Sequence, residues 1–173
     1  MALIVEDGTG KSDAESYISV ADADNYHGKR GNSTGDEMTT EEKEQALRRA
    51  TDYMEQSYRL NWLGYRRLEL QALSWPRDEV QRQDFTYLNQ FSFYPNDQVP
   101  REVKEACAEL AWRAAAGELS PDLSQGVIRE KVDVLEVEYD KYSPQSPRYK
   151  VVDMLLAPFL TGYVGAMRKV VRT

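Results

Sequence analysis

The chain is short of the residues that most often carry chemistry. One residue in 173 is cysteine, Cys107, and one is histidine, His27. A single cysteine excludes an intrachain disulfide and any zinc cluster built from several thiolates, so a reducing compartment is the expectation. With no second histidine or cysteine near His27, a metal centre has too few ligands there, and Cys107 lacks the base that would make it a nucleophile. No run approaches the roughly 18 apolar residues of a membrane-spanning helix. The opening Met-Ala-Leu-Ile-Val-Glu-Asp has neither the positive start nor the apolar stretch of a secretory signal. The expectation is a protein that is soluble and intracellular when made, with no cofactor, no membrane partner and no catalytic reaction.

Positive charge is also scarce. Twenty-two bases stand against 29 acids, a net charge of −7, which opposes binding modes that work by neutralising phosphates over a whole face. The imbalance is uneven. Residues 1–28 hold six acids and one base, Lys11, whereas residues 161–173 hold Arg168, Lys169 and Arg172 and no acid. Such ends are either ordinary solvated termini or complementary contacts between copies or with an acidic partner.

What is present is a corner and several well-marked helices. In Gln71-Ala72-Leu73-Ser74-Trp75-Pro76-Arg77, Pro76 fixes its own φ and pushes Trp75 out of the helical region. Trp75 offers a large apolar anchor, and Gln71 and Arg77 offer hydrogen bonds of fixed geometry. Gln71, Leu73, Trp75, Pro76 and Arg77 therefore read as a structural corner that orients the helix after Val99-Pro100. That helix, Arg101 to Ala116, ends at Gly117 and carries the stripe Val103, Cys107, Leu110 and Ala114. Trp112 falls on its opposite side, to be covered by the Trp75 corner or by another chain. Ser19 starts a short helix through Tyr26. Thr39 and Glu42 form the capping box of a helix from Glu41 to about Leu60, with Leu47, Ala50, Met54 and Ser57 as its core stripe. A last helix, Arg148 to Ala157, sets Val151, Val152, Leu155 and Leu156 toward the core and stops at Pro158.

Four stretches invite sharper readings. Gly8-Thr9-Gly10-Lys11-Ser12 imitates a phosphate loop, but Val5 stands where the first glycine should be and Asp13-Ala14-Glu15 follows instead of an apolar helix, so it reads as a glycine turn. Arg66-Arg67, beside Trp62 and Tyr65, has the chemistry to stack a base and otherwise makes a salt-bridged surface. Residues 78–96 carry Phe85, Tyr87, Phe91, Phe93 and Tyr94 among polar residues, read as an insertion loop or hairpin whose aromatics pack on the core or on a neighbour. Residues 127–140 read as a hairpin, and its alternation sets Glu130, Glu136 and Glu138 on an acidic face rather than in a catalytic pair.

Landmarks along nearly the whole chain resemble a known family. These are Glu6-Asp7-Gly8-Thr9-Gly10 with Ala14-Glu15-Ser16-Tyr17-Ile18-Ser19, Ala46-Leu47-Arg48-Arg49-Ala50-Thr51-Asp52-Tyr53, the corner Gln71 to Arg77, Val99-Pro100 leading into Val103-Lys104-Glu105-Ala106, and Glu130-Lys131-Val132 with Glu136-Val137-Glu138-Tyr139-Asp140. They resemble the phage and prophage proteins described as DnaT-like and single-stranded-DNA-binding, and the corner is also similar to that of tailed-phage head-to-tail adaptor (connector) proteins. The resemblance implies a mainly α fold with a small β-hairpin, one adaptor-type domain over residues 1–173, and extended N- and C-terminal arms. It implies a virion structural protein in the neck, made in the host cytoplasm. The expected partners are copies of itself in a twelve-fold ring, the portal protein, a downstream neck or tail protein, and double-stranded DNA passing through a channel. In that setting Arg168, Lys169 and Arg172, on an arm over residues 161–173, would dock the portal or a neighbouring subunit, and Glu130, Glu136 and Glu138 would line an acidic channel or surface face. The alternative is a single-stranded-DNA-binding replication accessory protein.

Overall fold

The computed structural model describes residues 2–32, 38–87, 90–121, 129–132, 135–138 and 147–162. Four helices occur in it: α1 (Val20–Gly28), α2 (Thr40–Tyr58), α3 (Arg101–Ala116) and α4 (Lys150–Leu156), the last running into a 3₁₀ turn at Ala157–Phe159. The strands form three separate antiparallel pairs: β1 (Tyr65–Arg66) with β2 (Arg77–Asp78), β3 (Gln81–Tyr87) with β4 (Gln90–Phe93), and β5 (Arg129–Val132) with β6 (Leu135–Glu138). The fold is mainly α with small β-hairpins.

Local chemistry places the helices. Thr39 accepts from the Glu42 backbone N–H while the Glu42 carboxylate takes the Thr39 N–H, so both partners of the capping box are made. At α1, Ser19 accepts from the Asp22 N–H at 3.1 Å. Helices α2 and α3 form the central layer, with α1 across one side and α4 against α3. Leu47, Ala50 and Met54 of α2 meet Val103, Ala106, Cys107 and Leu110 of α3, all buried. Each large apolar side chain here contributes about 1.5–3 kcal/mol by leaving water. Cys107 lies inside this seam with its Sγ 3.4 Å from Thr51 Oγ1, and burial pushes its thiol up.

Several expectations change. Ser57 is exposed, and α4 buries Val152 and Leu156 but leaves Val151 outside. Positions i and i+4 share a face, and Val151 lies about 100° away from Val152. Within the chain Trp112 lies half-buried against the His27 ring, with centroids 4.8 Å apart, rather than under Trp75. Of the two readings of residues 78–96, insertion loop or hairpin, the hairpin is the one formed, by β3 and β4.

The N-terminal stretch is not an extended arm. Val5 bridges Ser16: the Glu6 N–H donates to the Ser16 carbonyl, and the Ser16 N–H donates to the Ile4 carbonyl. In β5–β6, Glu136 is paired with Lys131 and Glu138 with Arg129, whereas Glu130 is paired with Val137. Arg168, Lys169 and Arg172 lie outside the described residues.

Candidate functional site

Trp75 anchors the corner as the largest fully buried side chain among the described residues. Its ring meets Trp62 and Phe159 edge-on, at centroid distances of 5.9 and 5.5 Å, the arrangement that the aromatic quadrupole favours. Gln71 closes the loop. Its amide nitrogen donates to the Leu73 and Pro76 carbonyls at 2.8 and 3.0 Å, and its amide oxygen accepts from the Leu68 N–H at 2.8 Å. Leu73, Pro76 and the cis Trp75–Pro76 peptide lie inside the same buried turn.

Two further clasps hold the turn in place. The Glu55 carboxylate accepts from the Ser74 N–H (2.9 Å), the Ser74 hydroxyl (2.7 Å) and the Tyr17 hydroxyl, which fastens the corner to α2. Burial, followed by the neighbouring Glu55 charge, raises the Tyr17 phenol well above its ordinary value. The second clasp is the Gly-Thr-Gly-Lys turn. Gly8, Gly10 and Lys11 donate their backbone N–H groups to the buried Glu6 carboxylate at 2.8–2.9 Å. The amides that a phosphate would need are thus taken by a carboxylate of the chain itself. Gly8 has φ +104, and a Cβ there would collide with the Asp97 carbonyl, so only glycine fits.

This framework carries a cluster of arginines. Residues 59–82 contain five arginines against three carboxylates, in a chain that elsewhere has seventeen bases and twenty-six acids. Arg77 is buried and donates to the Leu63, Gly64 and Ser74 carbonyls at 2.7, 2.7 and 3.2 Å. Burial pulls its guanidinium below the ordinary value, far from the range where an arginine would lose its proton. Arg66 donates to the Gln71 carbonyl, and Arg67 to the Gly8 and Asn96 carbonyls at 3.1 and 3.2 Å. Arg82 lies over the Tyr94 ring at 4.8 Å, a cation–π contact. Arg59 is exposed just beyond α2.

Among the described residues Arg66 and Arg67 make no ion pair, so the expected salt-bridged surface is not formed there. Ion pairs among the described residues use Lys11, Arg30, Lys43, Arg48, Arg101 and Arg113, and none uses an arginine of residues 59–82. The distinction is electrostatic. A carbonyl or a ring holds a guanidinium in place without cancelling its charge, which is left to act on an external anion.

Two exposed rings neighbour these arginines in the chain: Tyr65 precedes Arg66, and Phe93 precedes Tyr94, whose ring lies under Arg82. Tyr65 is 68% and Phe93 52% exposed. Register links them: Tyr65 pairs with Asp78 in β1–β2, and Phe93 pairs with Gln81, three residues further along, in β3–β4. Reasoning from the sequence had Arg66 and Arg67 in view beside Tyr65 but did not join Arg59, Arg82 and Phe93 to them. The signal that would have found them is the local excess of arginine in an acidic chain. Glu130, Glu136 and Glu138 belong to the separate β5–β6 pair.

No curated protein and no solved structure matches the chain. One family does, over residues 1–173, under the description "Putative DnaT-like ssDNA binding protein". That description names DNA binding. It corrects the expectation of a phage virion connector, an adaptor in a portal-binding, twelve-fold neck ring around a DNA channel, which was drawn from the likeness of the corner alone. With its match running from the first residue to the last, the chain belongs to this DnaT-like family.

Proposed function

We propose that the protein binds single-stranded DNA through the corner face, as a replication accessory protein, and catalyses no reaction of its own. The observation that carries this reading is the set of carbonyl-held or ring-held arginines on the same strand pairs and turns as exposed Tyr65 and Phe93. Single strands are held by backbone-tracking cations and by aromatic platforms on which unpaired bases stack. Arg59, Arg67 and Arg82 supply the first, and the two rings supply the second. The net charge of −7 confines the strand to this face and keeps binding weak elsewhere.

The side chains that resemble catalytic groups are otherwise engaged. Ser74 is buried with its hydroxyl on Glu55, and Cys107 is fully buried with a raised thiol.

The test is a fluorescence-anisotropy titration of labelled oligothymidylate and of duplex DNA at several salt concentrations. The single strand is expected to saturate in the micromolar range and to outcompete the duplex. With three arginines on phosphates, the logarithm of the association constant should fall against the logarithm of salt with a slope of about −2. Absence of saturable single-strand binding at moderate salt would refute the proposal.

A further inference from the structure

A second site lies apart from the arginine face, between α1, α2 and α3. These helices line a half-open pocket of about 240 Å³. An apolar cavity of about 150 Å³ already holds a benzene ring, so there is room here for a larger flat ring. The floor is lined by small side chains, among them Ala108 and Ala111.

Two rings wall the cavity. His27 and Trp112 lie 4.8 Å apart, tilted by 31°. The imidazole is fixed because its Nε2 donates to the Ala108 carbonyl at 3.0 Å, which leaves the other ring nitrogen of the neutral tautomer as an acceptor. The rim is polar and carries both signs. Lys43 Nζ meets the Asp24 carboxylate at 2.8 Å, and the Asn32 amide lies 3.4 Å from His27 Nδ1.

We infer that this cavity is a binding site for a flat heteroaromatic ring of the nucleobase class. A nucleobase has an apolar, stackable face and an edge of alternating donors and acceptors. The alanine floor and ring walls suit the face, and Lys43, Asp24 and Asn32 suit the edge. A purely apolar ligand would make no use of that rim. The inference goes beyond the corner face and does not depend on it; a free nucleoside and a base of a bound strand carry the same ring chemistry.

The test is calorimetric titration of the full chain with adenosine. Saturable binding is expected, with affinity at least tenfold lower in Ala111→Leu, whose added side chain fills the slot. Trp112→Leu, which removes a ring wall at a half-exposed position, should cause a similar loss, and far-ultraviolet circular dichroism should be unchanged in whichever variant is compared. Absence of adenosine binding in the wild type would overturn the inference, as would binding of toluene without adenosine or equal affinity in folded variants. Titrating oligodeoxyadenylate against Ala111→Leu separates the sources: weaker strand binding identifies a base of the strand, and unchanged strand binding identifies a free nucleoside. Failure of the wild type to bind any strand would count against the corner face alone and leave the adenosine result standing.

Discussion

Trp75 and Arg77, two residues apart, solve different problems in one turn. Trp75 supplies buried apolar area, and its indole N–H finds no acceptor among the described residues. Truncation to alanine is therefore expected to cost about 3–5 kcal/mol. Trp75→Phe keeps the edge-on ring contacts and removes the unpaired N–H, so its cost should stay below about 1.5 kcal/mol. Urea midpoints of the two variants check this, and equal losses would show that the N–H has a partner. Arg77 supplies donors in three directions to three carbonyls, which a lysine ammonium on a flexible stem cannot reproduce with the same fixed fork. Trp75 and Arg77 were legible in the sequence because proline, tryptophan and arginine each impose strong local geometry. Glu6 was not. Nothing in Val-Glu-Asp-Gly announces that one carboxylate will collect three backbone N–H groups, because those donors come from the fold of the following turn.

At the scale of elements, legibility followed capping chemistry. Helix α2 was marked by Thr39 and Glu42, and α3 by Pro100 and Gly117, before any packing was known. Thr39→Ala should cost about 1 kcal/mol by removing the cap, seen as a lower urea midpoint with an unchanged slope. A loss below a few tenths would mean that tertiary packing alone holds the start of α2. The hairpin β3–β4 was harder to read, because Gln81 to Tyr87 mixes charge, amide and ring without strict alternation, and a register shift between Gln81 and Thr86 breaks the two-residue period. The candidate interface was harder still. A sequence shows arginines and carboxylates and so suggests ion pairs. The partners here are backbone carbonyls, which every residue has and no residue type signals.

Across the whole molecule, titration sets the limits of stability. Hydrogen bonds from Arg48 hold the Glu15 carboxyl low, and the Thr39 backbone N–H and hydroxyl do the same for Glu42. Burial would raise Glu109, but bonds from Arg113 and Tyr26 outweigh it and its carboxyl is also lowered. Asp52, raised by burial and the nearby Glu55, opposes them in part. Groups with depressed folded values stabilise the fold above the ordinary carboxylate range and lose that contribution as pH falls through it. On the alkaline side the sign reverses. Burial and the Glu109 bond push Tyr26 up to about 12, and burial, with Asp153 beside it, raises Tyr58 further. Above the ordinary tyrosine value the unfolded chain releases protons that the folded chain retains, so stability should decline as pH rises past about 10. Urea midpoints across pH, with tyrosinate absorbance showing delayed ionisation, check both limbs; an alkaline midpoint that stays level would contradict the buried tyrosine bonds.

The account as a whole rests on the corner face as a single-strand platform. The most direct measurement is the affinity of Tyr65→Ala/Phe93→Ala for labelled oligothymidylate at moderate salt, beside Arg101→Ala on α3 as a control. Stacking contributes about 1–3 kcal/mol per base, so the double variant should bind at least about 25-fold more weakly while the control binds as the wild type does and all three unfold at similar temperatures. Undiminished binding by a folded double variant would contradict the account.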